Sequence, residues 1–162
     1  VDGRHVVWIG NRLWTALWFA HTQCGILHGA VLPNNILIQP ESHGLVLIDW
    51  EYSVEHGAKL THRIGALRDW YPPEVEARQP AQPSLDLYMA AACLVYAGGG
   101  DARHGAVPLQ TDVRLRSVLA ACLLKNQARR RCDAMLVYDD WQEAAKDAYG
   151  ERKYVPLSLT HG

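Results

Sequence analysis

The side chains that could do chemistry gather between His28 and Asp49. The run His28-Gly-Ala-Val-Leu-Pro-Asn-Asn35 is followed by two short apolar stretches and then Asp49-Trp-Glu51. Asn35 offers an amide oxygen and Asp49 a carboxylate, both hard oxygen donors. His28 could move protons near neutral pH. A second set, His21, Cys24 and His28, would share a face only on an unbroken helix, and Gly25 is expected to end that helix. No zinc site is therefore expected. The four cysteines, Cys24, Cys93, Cys122 and Cys132, show no paired short spacing and read as reduced thiols.

The elements that must position these residues belong to a packed domain. The chain has 162 residues, 49% hydrophobic and 20% charged, which suits one domain over 1–162, with its core at about 4–148 and a tail over 149–162. Sixteen Lys and Arg against seventeen Asp and Glu leave a net charge of -1, so nucleic acid and anionic membrane are not expected partners. The Arg129-Arg-Arg131 run reads as a solvated helix start. Polar residues such as Arg12 and Gln23 interrupt the most apolar region, so no membrane span is expected. The chain opens at Val1 without a basic, apolar and small-residue leader, and a cytoplasmic location is expected.

Periodicity predicts a helix over 4–23, with Val6, Ile9, Leu13, Ala16 and Ala20 on one face and Trp14 and Leu17 widening it, hence central and largely buried. Trp8, Trp14 and Trp18 read as core. Asn35–Ile38 and Leu45–Ile48 flank a Pro- and Gly-containing turn and predict a small hairpin. Residues 49–83 read as a long irregular segment. A helix over 84–97 is predicted with Ser84 as its cap and Leu85, Met89, Ala92, Cys93 and Tyr96 inward, and two further helices over about 110–125 and 132–148. The expected fold is mainly α with a small β-hairpin.

In this order the motifs resemble the C-terminal lobe of the protein-kinase-like superfamily. His28-Gly29-Ala30 and Asn35 match the catalytic loop, Asp49-Trp50-Glu51 the metal-binding motif, and the hairpin lies between them. Trp70-Tyr-Pro-Pro-Glu74 is similar to the motif that ends the activation segment. Ser84-Leu-Asp86 is similar to the start of the helix whose buried Asp anchors the catalytic loop, and Cys122–Arg130 to the segment whose Arg pairs with that glutamate, here Glu74. The resemblance covers roughly residues 4–145 and implies a buried Glu74–Arg130 pair, with Arg129 and Arg131 as alternatives. It also implies a contact from Asp86 to the backbone of the His28 loop, ATP near Leu37, Asn35 and Asp49, and Mg²⁺ on Asn35 and Asp49.

The departures set the functional expectation. The chain begins where an upper lobe would already have finished, so no Gly-rich phosphate loop, strand lysine or helix glutamate precedes the catalytic loop. Ala30 stands where the catalytic Asp would orient and deprotonate a hydroxyl. Leu32 replaces a cation at the transferring phosphoryl group, and Gly29 replaces the Arg that reads a phosphorylated activation loop. The resemblance thus implies a pseudokinase or kinase-derived binding scaffold, with Mg-ATP as a residual ligand. The alternative is an active protein kinase or small-molecule phosphotransferase whose N-lobe comes from a missing upstream segment, with Glu51 or Asp69 as a substitute base. A third reading is an interaction domain that pairs with a protein partner or a second copy through a bare face including Val1, Val6, Val7 and Leu37.

Overall fold

The computed structural model describes residues 1–108 and 111–158. Helix α1 spans Gly3–Thr22, capped by the Asp2 carboxylate, which accepts from the Arg4 N–H at 2.8 Å. Strand β1 (Ile26–Leu27) pairs antiparallel with β4 (Val54–Glu55), and β2 (Ile36–Gln39) pairs with β3 (Gly44–Leu47) as the expected hairpin. The segment after β3 is mostly irregular. It holds β4, 3-10 turns at Trp50–Tyr52 and Gly65–Trp70, and a single helical turn, α2 (Pro73–Glu76). Helices α3 (Pro83–Ala97), α4 (Val113–Cys122) and α5 (Ala134–Tyr149) complete a mainly helical fold with two small antiparallel sheets.

The core lies where α1, α3, α4 and α5 meet, around Leu13, Trp14, Leu17, Met89, Leu119 and Trp141, all almost fully buried. Helices α1 and α5 approach closely at Gly10. A Cβ there would come within 2.8 Å of the Trp141 indole, whose Nε1 donates to the Val7 carbonyl at 3.1 Å. Among the described residues no helix is long and apolar enough to cross a membrane.

Several expectations need correction. Helix α3 is buried on every side from Ser84 to Val95, whereas α1 buries the apolar face expected of it and turns Arg4, Arg12, Thr15 and Phe19 to solvent. An all-round apolar helix belongs in the middle and an amphipathic one at the side. Ser84 does not cap α3: the cap position is Gln82, without a side-chain bond, and Pro83 occupies the first turn. The Ser84 hydroxyl is buried without a hydrogen-bond partner. Tyr96 is 58% exposed, because it lies at the end of α3 where its ring meets the edge of Trp70. Helix α1 stops at Thr22, and Gly25 adopts its left-handed φ of +68° only after Gln23 and Cys24 have left the helix. Trp18 is only partly buried, whereas Trp8 and Trp14 are core. The four residues expected to share a bare face are scattered. Val6 is buried, Val1 lies beside α3, Val7 faces α5, and only Leu37 stands on the hairpin.

Candidate functional site

Asp86, in the first turn of α3, is fully buried and organises the loop after β1. One carboxylate oxygen accepts from the His28 N–H at 2.7 Å and from His21 Nε2 at 2.8 Å, and the other accepts from the Gly29 N–H at 2.9 Å. Three donors replace the water that a buried carboxylate would otherwise demand. His28 is equally buried. Its Nδ1 accepts from the Ala30 N–H at 3.2 Å, which places the ring proton on Nε2, and that nitrogen donates to the Ile48 carbonyl at 3.0 Å. Burial pushes the His28 pKa below its ordinary value, against the opposing pull of Asp86. Both ring nitrogens are spent on backbone groups, so this histidine braces the loop.

The loop backbone makes demands that side chains cannot meet. Gly29 has a φ of +74°, and a Cβ there would lie 2.6 Å from the Tyr52 carbonyl oxygen and 2.7 Å from Leu60 Cδ1. An arginine at this position would meet both the left-handed backbone and those contacts. Ala30 and Leu32 are fully buried, so an ammonium at position 32 would have to be desolvated. The Asn35 amide nitrogen donates to the Ala30 carbonyl at 2.9 Å. Among the described residues no donor reaches the Asn35 amide oxygen.

The hairpin brings Asn35 and Asp49 to one end. The Ile48 N–H donates to the Asn35 carbonyl at 3.0 Å, immediately before Asp49 turns into the left-handed region at φ 68°, ψ 48°. The Asp49 carboxylate is exposed and makes no capping bond to the turn that follows. Partial burial and the carboxylates of Glu51 and Asp49 raise the Tyr52 phenol, so these three groups share one acidic corner. Leu37 projects from the open face of the hairpin, directly opposite Val46, and both are more than half exposed. Ile48 adds to the same face at 37%. Asp69, the other candidate acid, is exposed in the later irregular segment beside Arg68 at 3.6 Å.

Further along, Glu74 and Arg130 form a buried bidentate pair, Nη1 to Oε1 and Nη2 to Oε2, the latter at 3.1 Å. Arg130 also donates to the carbonyls of Leu124, Ser84 and Lys125 and lies over the Tyr88 ring at 4.8 Å. Arg131 pairs instead with Asp140, and Arg129 is exposed. The fork therefore ties α2 and the start of α3 to the segment after α4.

His21, Cys24 and His28 do not converge. His21 turns to Asp86, His28 to Ile48 and Ala30, and Cys24 is exposed. Among the described residues no three His, Cys, Asp or Glu side chains cluster as a metal site would require. The role of His21 against Asp86 escaped sequence reasoning, because the partners lie 65 residues apart and nothing local to either marks the contact.

No protein-family model matches the chain, and no curated protein matches it significantly.

Proposed function

We propose that the chain is the C-terminal lobe of a protein-kinase-like domain and acts as a pseudokinase: a scaffold that holds nucleotide or a protein partner without transferring phosphate. The observation that carries this reading is Ala30. Its loop is fastened by Asp86, His28 and Asn35 in a way that would aim a side chain at position 30 reproducibly, yet the side chain there is a buried methyl group. A methyl group can neither accept the proton of an attacking hydroxyl nor orient it. The Asp86 anchor and the Glu74–Arg130 fork support the kinase-like part of the reading, since they join segments in the order that resemblance requires.

Asn35 and Asp49 fit a hard cation. Among the described residues no donor reaches the amide oxygen, and the carboxylate is exposed at the same end of the hairpin, so together they would supply two of the oxygens for Mg²⁺. Bound there, the ion would neutralise nucleotide phosphates, while the apolar Leu37–Val46 face would sit beneath the base. The same face, with Ile48, also suits a protein surface in the absence of nucleotide.

Thermal unfolding with and without ATP, each with and without Mg²⁺, tests the reading. Ligand at about a hundredfold above its Kd stabilises a fold by roughly 2.7 kcal/mol, several degrees for a domain of this size. A shift that requires Mg²⁺ and disappears in Asp49→Ala is the expected result. Phosphorylation of a generic substrate by the unaltered protein would overturn the pseudokinase reading.

A further inference from the structure

A groove of about 950 Å³ lies between α1 and α5, lined also by Ser42 and His43 of the hairpin turn and by the tail from Gly150 to Val155. Its chemistry differs from that of the whole chain. Lys146 is matched by Glu151 at 3.1 Å, but Arg4, Arg12, Arg152 and Lys153 face it as well, and Glu143 is the other carboxylate in its wall. Among the described residues none of those four cations pairs with a carboxylate, whereas Arg63, Arg68, Arg114, Arg130 and Arg131 all do. A local excess of positive charge thus stands on a chain whose net charge is -1.

Two of the guanidinium groups are already oriented by neutral partners. Arg12 Nε donates to the His43 carbonyl at 3.1 Å, and Arg152 Nη2 donates to the Tyr138 hydroxyl at 3.1 Å and to the Gln142 amide oxygen. Among the described residues both nitrogens at the tip of Arg12, and Nη1 of Arg152, keep their donors. The turn that positions Arg12 is itself held firm. His43 stacks between Trp8 and Tyr154 at ring distances of 4.4 and 4.6 Å, its Nε2 donates to the Val155 carbonyl at 2.9 Å, and the Tyr154 hydroxyl donates to the Glu41 carbonyl at 2.9 Å. Oriented guanidinium forks with unspent donors, paired with no carboxylate among the described residues, are the chemistry that recognises clustered phosphoryl groups.

We infer that this groove is an oligophosphate-binding site, in which Arg12 and Arg152 clamp adjacent phosphoryl groups and Arg4 and Lys153 add charge. The site lies outside the Asn35–Asp49 corner and needs no Mg²⁺, so it stands or falls independently of the nucleotide reading.

Titration calorimetry of the full chain with inorganic tripolyphosphate, in Mg²⁺-free buffer at low and moderate salt, tests it. Saturable binding that weakens with salt is expected. Arg12→Gln and Arg152→Gln should each weaken it about tenfold or more, Arg12→Lys should weaken it several-fold because the fork is lost, and Arg129→Gln should leave it unchanged. Circular dichroism would confirm that each variant keeps its fold. A parallel arm with phosphatidylcholine vesicles carrying phosphatidylinositol bisphosphate separates the sources. Release of vesicles by tripolyphosphate supports a soluble ligand, and retention on vesicles, lost in Arg12→Gln, assigns the same site to a lipid headgroup. Absence of binding in both arms, or affinity that Arg12→Gln and Arg152→Gln leave intact, overturns the proposal.

Discussion

At Gly29 the backbone conformation and the surrounding space point the same way. A side chain would incur the left-handed penalty of roughly 1–2 kcal/mol and would press on the Tyr52 carbonyl, an atom of the backbone. Gly29→Ala is therefore expected to lower unfolding free energy by about 2 kcal/mol or more in urea denaturation, and a neutral result would contradict the described loop. The Glu74–Arg130 fork makes a different prediction. Removing one partner strands the other, so Glu74→Gln and Arg130→Met should each cost about 3–5 kcal/mol. The double replacement should cost clearly less than the two together, since no lone charge is left buried. Additive losses in that double-mutant cycle would mean that the pair is not coupled.

Helix termini separate real caps from apparent ones. Ser84 has the residue type of a cap, but it sits inside the first turn of α3 with its hydroxyl buried and unpartnered, so Ser84→Ala should be neutral or slightly stabilising. Asp133 is the working cap of α5, accepting from Met135 N at 2.8 Å and Leu136 N at 3.2 Å. Asp133→Ala should cost about 1 kcal/mol. Thermal melts of the two variants side by side would reveal any reversal of that order. The hairpin and the four long helices were legible because each carries its own periodicity and turn residues. The α2 turn and the short β1–β4 pairing were not, because two-residue strands and a single helical turn have no periodicity to detect, and their hydrogen-bond partners come from distant segments.

Over the whole molecule, burial sets what titrates and what reacts. His28 and His5 both have pKa values lowered chiefly by burial, from an ordinary 6.5. Below that value the unfolded chain binds protons that the folded chain refuses, so these groups favour folding fully above it and lose that contribution as the pH falls through it toward their folded values. The urea midpoint should fall between about pH 7.5 and about pH 5.5, and His28→Gln should flatten part of that slope whatever its effect on stability at the higher pH. An unchanged slope would mean that His28 titrates normally. The thiols divide in the same way. Burial pushes Cys122 up to about 12 and raises Cys93 as well, while Cys24 and Cys132 are exposed. A thiol reagent should label Cys24 and Cys132 in the folded protein and reach the other two only on unfolding.

The sequence by itself determined the local features: where helices run, where the hairpin turns, and that Ala30 supplies no carboxylate at the centre of the motif. These follow from side-chain type and short-range spacing. The resemblance also implied a pairing of Glu74 with Arg130, with Arg129 and Arg131 as alternatives. Tertiary structure decided the rest. Arg130 rather than Arg129 or Arg131 enters the core because the chain after α4 leaves only that side chain within reach of Glu74 and of three backbone carbonyls. His21 becomes a partner of Asp86, and Tyr154 a partner of His43, across separations that no window of sequence spans. Contacts of this kind arise only when the buried faces of α1, α3 and α5 have packed, because packing fixes which polar groups must satisfy one another away from water.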